Sequence, residues 1–260
     1  MADTPGWPGW CRRCPNTPQG LGQVADKLQA ELGRGNAQVI LSCLEFIAPF
    51  PHEAVQILSE RGMNRVVVLP YLLGNGKHAT VEMYEMLDDI RAQTPSVELV
   101  LAEGLGADQR LAGLVVDRIR DLGERAPYPG QGKKVGVLLV KAGTRTQFDD
   151  CLWLAELGEM VEGQLGEGYA VDVAQSHYGD PTMEAATARL IEGQGVSSLI
   201  CAPYIFFPGL ILTRNVLGTM EKLQEEYPAI PMTVAPPLGV DDRLISVAAD
   251  RIRQVWARSG

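Results

Sequence analysis

The chain has 260 residues, 46% of them hydrophobic, a net charge of −9 and five cysteines. That acidity excludes nucleic acid or an anionic membrane as partner, because neither is drawn to a negative surface. Five scattered cysteines are not a disulfide framework, and the longest apolar stretch, Ile200 to Leu212, is too short to cross a bilayer and is broken by Pro203, Pro208 and Gly209.

Residues 1–18 carry Pro5, Pro8, Pro15 and Pro18 beside Trp7 and Trp10. They read as irregular, since proline removes the donors a buried strand needs. They also lack a basic-then-apolar leader pattern, so a cytoplasmic protein is expected. Cys11 and Cys14 form a lone CxxC; a structural zinc site needs two further ligands that the chain does not offer. A helix is predicted over Gly20–Leu32, a strand over Gln38–Leu44 and a helix over Pro51–Arg61. Arg65–Leu69 reads as a strand that ends in the Tyr71–Lys77 loop. Thr80–Gln93 follows as a helix, Val97–Ala102 as a strand and Ala107–Leu122 as a helix. Ala126 to Gly132 is a Pro/Gly linker.

Beyond the linker, Val135–Val140 is a continuous apolar run typical of a buried parallel strand. Phe148–Gln164 is predicted as a helix, Ala170–Ala174 as a strand, Thr182–Gln194 as a helix and Val196–Ala202 as a strand. Leu210–Tyr227, Pro231–Ala235 and Asp241–Arg258 complete the series as helix, strand and helix. Strands alternating with helices predict an α/β fold with parallel sheets. The first half is expected to hold three strands and the second four.

The two halves repeat each other. Pro70-Tyr71-Leu72-Leu73-Gly74-Asn75-Gly76 stands eight residues after Gly62, and Pro203-Tyr204-Ile205-Phe206-Phe207-Pro208-Gly209 stands eight after Gly195. In both copies a closing segment begins 35 positions after the Pro, LGADQRLAGLVVDRIRDL at Leu105 and LGVDDRLISVAADRIRQV at Leu238. Nine of its 18 positions are identical. The expected domains are 1–125, with 1–18 irregular, and 133–260. Duplication lets one copy keep chemistry that the other has lost. The eighth residue after the Pro is His78 in the first copy and Ile211 in the second.

His78 lies past the C-terminal end of a predicted strand, where open α/β sheets bind ligands. Gly74 and Gly76 allow a close backbone approach. Glu82 is four residues on, on the same helix face as His78, so the pair can share a divalent cation or the carboxylate can orient the imidazole. Glu45 ends the strand 38–44 and so faces the same edge. In the second copy Ser176 or His177 takes that place, and His177 reads as an exposed loop residue or a second ligand. His52 reads as a solvated helix residue. The turn Lys141-Ala142-Gly143-Thr144-Arg145 follows a strand and can hold an anion at a helix N-terminus. Arg145, Lys77 and Arg214 are candidates for pairing with substrate carboxylates.

Glu45 after one strand and PYLLGNGKHATVEM after the next resemble the sirohydrochlorin chelatase family, specifically its CbiX type with two fused copies. PYIFFPGLIL is similar to that type's degenerate second half. The resemblance implies two flavodoxin-like lobes with the tetrapyrrole in a cleft between them. It implies insertion of Co²⁺ or Fe²⁺ into sirohydrochlorin, in cobalamin or siroheme biosynthesis, with the metal as substrate and no other cofactor. His78, Glu45 and Glu82 would hold the metal, with His78 and Glu45 as catalytic groups. Gly76, Lys77, Arg145 and Arg214 would bind substrate. A fused pseudo-dimer of this kind is expected to be a monomer.

The family's HG[ST]R histidine has no counterpart. Residues 1–18 replace that strand and turn in the first copy, and Ala142 stands at its place in the second. The expectation is a start or reading frame misplaced upstream of about Pro18, or else an impaired relative that binds tetrapyrrole or metal.

Overall fold

A computed structural model describes residues 19–33, 37–45, 47–74, 81–129, 132–143 and 152–258. The helices are α1 (Gln19–Leu32), α2 (Pro51–Glu60), α3 (Val81–Gln93), α4 (Gln109–Arg120), α5 (Leu152–Leu165), α6 (Met183–Ala188), α7 (Leu217–Glu226) and α8 (Asp242–Arg258). The strands are β1 (Arg65–Val68), β2 (Glu98–Leu101), β3 (Lys134–Lys141), β4 (Tyr169–Gln175), β5 (Val196–Tyr204) and β6 (Met232–Val234). Alternation of the two, with every strand pair parallel, makes this the predicted α/β fold.

The chain forms two compact units. The first comprises residues 19–71, 81–105 and 244–258 among those described; the second comprises 72–74 and 106–243. The second unit holds a four-stranded sheet in the order β4-β3-β5-β6. Its centre is β3, where every residue from Val135 to Lys141 is buried, as the unbroken apolar run requires. Leu138, Val140, Leu199 and Cys201 carry that core onto α6, the helical turn Arg189–Gly193 that follows it, and α7 through Met183, Leu190, Met220 and Leu223. Burial pushes the Cys201 thiol pKa up, so it stays a neutral apolar filler.

The first unit has two strands among the described residues, β1 paired with β2, where the sequence predicts three. Residues 38–44 are not a strand. The second unit shows the reason. There the second strand of the repeat, β4, pairs only with the central first strand β3. No described residue supplies that central strand to residues 38–44, and an apolar segment without a neighbour has no ladder to join. The Gln29 side chain takes over instead, donating to the Ala37 carbonyl at 3.0 Å and accepting from the Val39 amide at 2.9 Å. Ile40 still packs on a core of Val55, Leu58, Val66, Leu87, Ile90, Val97 and Leu99.

The closing helices are exchanged. α4, from the first repeat, lies in the second unit against α5 and β5, burying Leu111, Leu114, Val115 and Ile119. Arg118 reaches from it to the Leu238 carbonyl at 2.7 Å. α8, from the second repeat, lies in the first unit, apart from its first two residues, and buries Leu244, Val247 and Ala248. Arg251 donates from it to the Leu105 carbonyl at 3.1 Å, Arg253 pairs with Glu31 at 3.0 Å, and the Arg65 guanidinium lies 4.2 Å from the Trp256 ring. Both helices start the same way. Asp108 accepts from the Arg110 amide at 2.9 Å, and Asp241 from the Arg243 amide at 3.0 Å. Each aspartate satisfies a first-turn donor that has no partner within the helix.

Candidate functional site

In the second unit the C-terminal ends of three strands are brought level by register. Lys141 on β3 stands beside Gln175 on β4 and Tyr204 on β5. Lys141 is the last residue of the strand, 5% exposed, not the first of an open turn. Its ammonium donates to the Gln175 side-chain oxygen at 3.1 Å and to the Ala142 carbonyl at 3.2 Å. Gly143 follows so close to the His177 carbonyl that any Cβ there would overlap it. This contact, not a ligand, explains the glycine of the Ala142-Gly143 turn. Arg145 lies outside the described residues.

His177 is half-buried. Its Nδ1 is 2.8 Å from the Ser176 hydroxyl, and its ring centroid is 4.7 Å from that of Tyr178. Arg214 is exposed on a π-helical turn, Ile211–Val216, that leads into α7. Such turns are short widenings of a helix, often found beside functional sites.

The Gly-rich loop of the first repeat sends residues 72–74 into the second unit. There Gly74 lies against the Trp153 indole, and a Cβ at 74 would overlap the ring. Trp153 in turn lies 6.0 Å from the Tyr204 ring. Gly74 therefore makes a close approach, as its residue type implies, but to an indole of the same chain.

In the first unit Glu45 is exposed, and its carbonyl accepts from the Ile47 amide at 2.9 Å. Glu82 is half-buried in the first turn of α3. His52 is exposed on α2 and stacks on Phe50 at 6.1 Å, a solvated helix position as its sequence context implies. Gly76, Lys77 and His78 lie outside the described residues, as does the Cys11–Cys14 pair. Among the described residues no three His, Cys, Asp or Glu side chains come together to hold a metal ion. Nor is any described helix long and apolar enough to cross a membrane.

Tyr178 belongs to no motif in the sequence. Its backbone is left-handed, with φ of 50°, while the residue is 50% exposed. A Tyr-Gly pair between a strand and a helix was the available signal.

The chain is 24% identical over 223 residues to the sirohydrochlorin ferrochelatase of Priestia megaterium, covering 84% of this chain and 77% of that protein. It is 33% identical over 133 residues to the sirohydrochlorin cobaltochelatase of Methanopyrus kandleri, covering 43% of this chain and 92% of that protein. Among solved structures it matches SirB from Bacillus subtilis with Fe³⁺ at a TM-score of 0.77 and 19% identity, over 95% of this chain and 92% of that one. It also matches CbiX, the terminal enzyme for biosynthesis of siroheme in denitrifying bacteria. There the TM-score is 0.57 at 15% identity, over 96% of this chain and 94% of that one. At these identities the two structures speak for the fold. The CbiX family profile matches twice, at residues 12–122 and 136–255, once on each repeat. The chain belongs to the CbiX family.

Proposed function

We propose that this chain is a sirohydrochlorin chelatase, a lyase-class enzyme that inserts Co²⁺ or Fe²⁺ into sirohydrochlorin in cobalamin or siroheme biosynthesis. The observation that carries the reading is the double family match, one on each repeat, beside similarity over 84% of this chain to a sirohydrochlorin ferrochelatase. The metal is the substrate, and no further cofactor is invoked. The duplicated units are 1–125 and 133–260, and the chain works as a cytoplasmic monomer, so it should sediment as a particle of 28.2 kDa.

Insertion requires the macrocycle to lose two pyrrole protons while a partly dehydrated cation reaches one face of the ring. His78 is assigned metal binding and proton acceptance, because imidazole suits Co²⁺ and Fe²⁺ and titrates near neutrality. Glu45 delivers the metal or relays a proton; its exposure leaves it free to do either. Glu82 is assigned to the same cation and to orienting the imidazole four residues before it in the sequence. Three ligands leave the coordination shell open, so the ion can pass to the ring. Gly76 lets the loop backbone approach the macrocycle, and Lys77, Arg145 and Arg214 meet its carboxylates.

The test is the absorbance change of sirohydrochlorin on mixing with Co²⁺ or Fe²⁺ and the protein. His78→Ala is expected to abolish insertion. A His78→Ala protein that keeps the full rate contradicts the assignment.

A further inference from the structure

Tyr178 is the one non-glycine residue among those described with a left-handed backbone, at φ 50°. A bulky residue enters that region only where its surroundings hold it there. They do so here. The Gln175 amide donates to the Pro181 carbonyl at 2.8 Å, the Gln175 side chain to the Asp180 carbonyl at 2.8 Å, and the Ser176 amide to the Lys141 carbonyl at 2.9 Å. Gly143 closes on the His177 carbonyl from the neighbouring turn. Glycine takes a left-handed backbone without steric cost. This loop strains a tyrosine instead, and leaves that residue half exposed.

A second aromatic pair lies beyond the same end of the sheet. His177 and Tyr178 lie two and three residues beyond Gln175, and Phe206 and Phe207 lie two and three beyond Tyr204. Gln175 and Tyr204 are register partners of the same Lys141. The Phe206 and Phe207 rings are 6.1 Å apart and tilted by 33°. Two strand spacings, about 10 Å, separate β4 from β5. Both pairs therefore lie in loops beyond the C-terminal edge of one sheet, the edge at which such sheets receive ligands.

We infer that these two pairs form a stacking platform for the conjugated ring of the tetrapyrrole, with Tyr178 as the residue that sets affinity. Aromatic faces hold a flat conjugated ring by offset stacking and need no metal ligand. The second repeat, which has Ile211 where the first has His78, would thus retain ring binding without metal chemistry. The inference rests on the metal-insertion reading of the whole chain.

The experiment is metal-free sirohydrochlorin binding, followed by quenching of protein fluorescence, with thermal unfolding of each variant alongside. Tyr178→Gly relieves the backbone and removes the ring, so its Tm should rise while binding weakens about tenfold. Tyr178→Phe should bind like the wild type, and Phe207→Leu should weaken binding severalfold from the other side. A Tyr178→Gly protein that binds as tightly as the wild type overturns the platform and leaves a loop residue. So does a Tyr178→Phe protein that loses binding, since the hydroxyl would then be responsible. A wild type that neither binds nor metallates sirohydrochlorin overturns the functional reading together with the platform.

Discussion

The two repeats started from one pattern and now differ where it matters most. The second has a four-stranded sheet built around β3, with neighbours on both sides. The first, among the described residues, pairs only β1 with β2, and its residues 38–44 run beside no strand. In a parallel sheet of this order the first strand is central, so without it the second strand is left unpaired while the third and fourth still pair. The exchange of closing helices is reciprocal: α8 of the second repeat covers the first unit, and α4 of the first repeat covers the second. Each unit of the duplicated fold therefore takes part of its apolar cover from the other repeat.

The exchanged helices carry the greatest consequence for stability. Leu111 on α4 and Leu244 on α8 are repeat equivalents, and both are fully buried. Leu→Ala at either should cost about 2–5 kcal/mol. Amide hydrogen exchange should place the lost protection in β3 and β5 for Leu111→Ala, and in β1 and β2 for Leu244→Ala. The reverse pattern would mean that each helix serves its own repeat.

Next in size is the Gly-rich loop. Gly74→Ala pushes a methyl group into the Trp153 indole, whose rigid ring cannot step aside as a flexible side chain would. The expected loss is about 1–3 kcal/mol in denaturant unfolding. No loss would show that the loop is not seated on Trp153.

Arg118→Leu should follow, at about 1–3 kcal/mol, because it strips the Leu238 carbonyl of two donors at 2.7 and 3.1 Å beside a buried Leu238. Urea midpoints of this variant and the wild type measure it. An unchanged midpoint would mean that water replaces the guanidinium.

The smallest effect is one of pH. The Arg243 guanidinium, hydrogen-bonded to Asp241, holds that carboxyl below its usual range. The Asp241 contribution is therefore complete above the unfolded carboxylate pKa near 4 and is lost as pH falls through the lower folded value. Asp241→Asn should flatten the acid limb of the stability curve below about pH 4 and leave its slope at pH 7 unchanged.

Much of this was legible in the chain itself. The run Val135–Val140 can only be a buried strand, and its alternation with amphipathic segments yields the parallel sheet. The 35-residue spacing exposed the duplication, and the resemblance led to the family. Residues 38–44 misled because strand propensity is local while pairing needs a neighbour. The helix exchange was hidden because LGADQRLAGLVVDRIRDL shows which face is apolar but not which sheet that face covers. Lys141 was masked by its charge: its aliphatic stem continues the buried strand, and only register shows Gln175 waiting for the ammonium. Strain at Tyr178 has no signature in composition, since any Tyr-Gly turn reads alike.

We propose that the first repeat, with His78, keeps the metal chemistry and that the second, with Ile211 in its place, does not. Titration calorimetry with Co²⁺ tests this directly. One ion should bind per wild-type chain, and none in His78→Ala. Two ions per chain, or one ion still bound in His78→Ala, would contradict it.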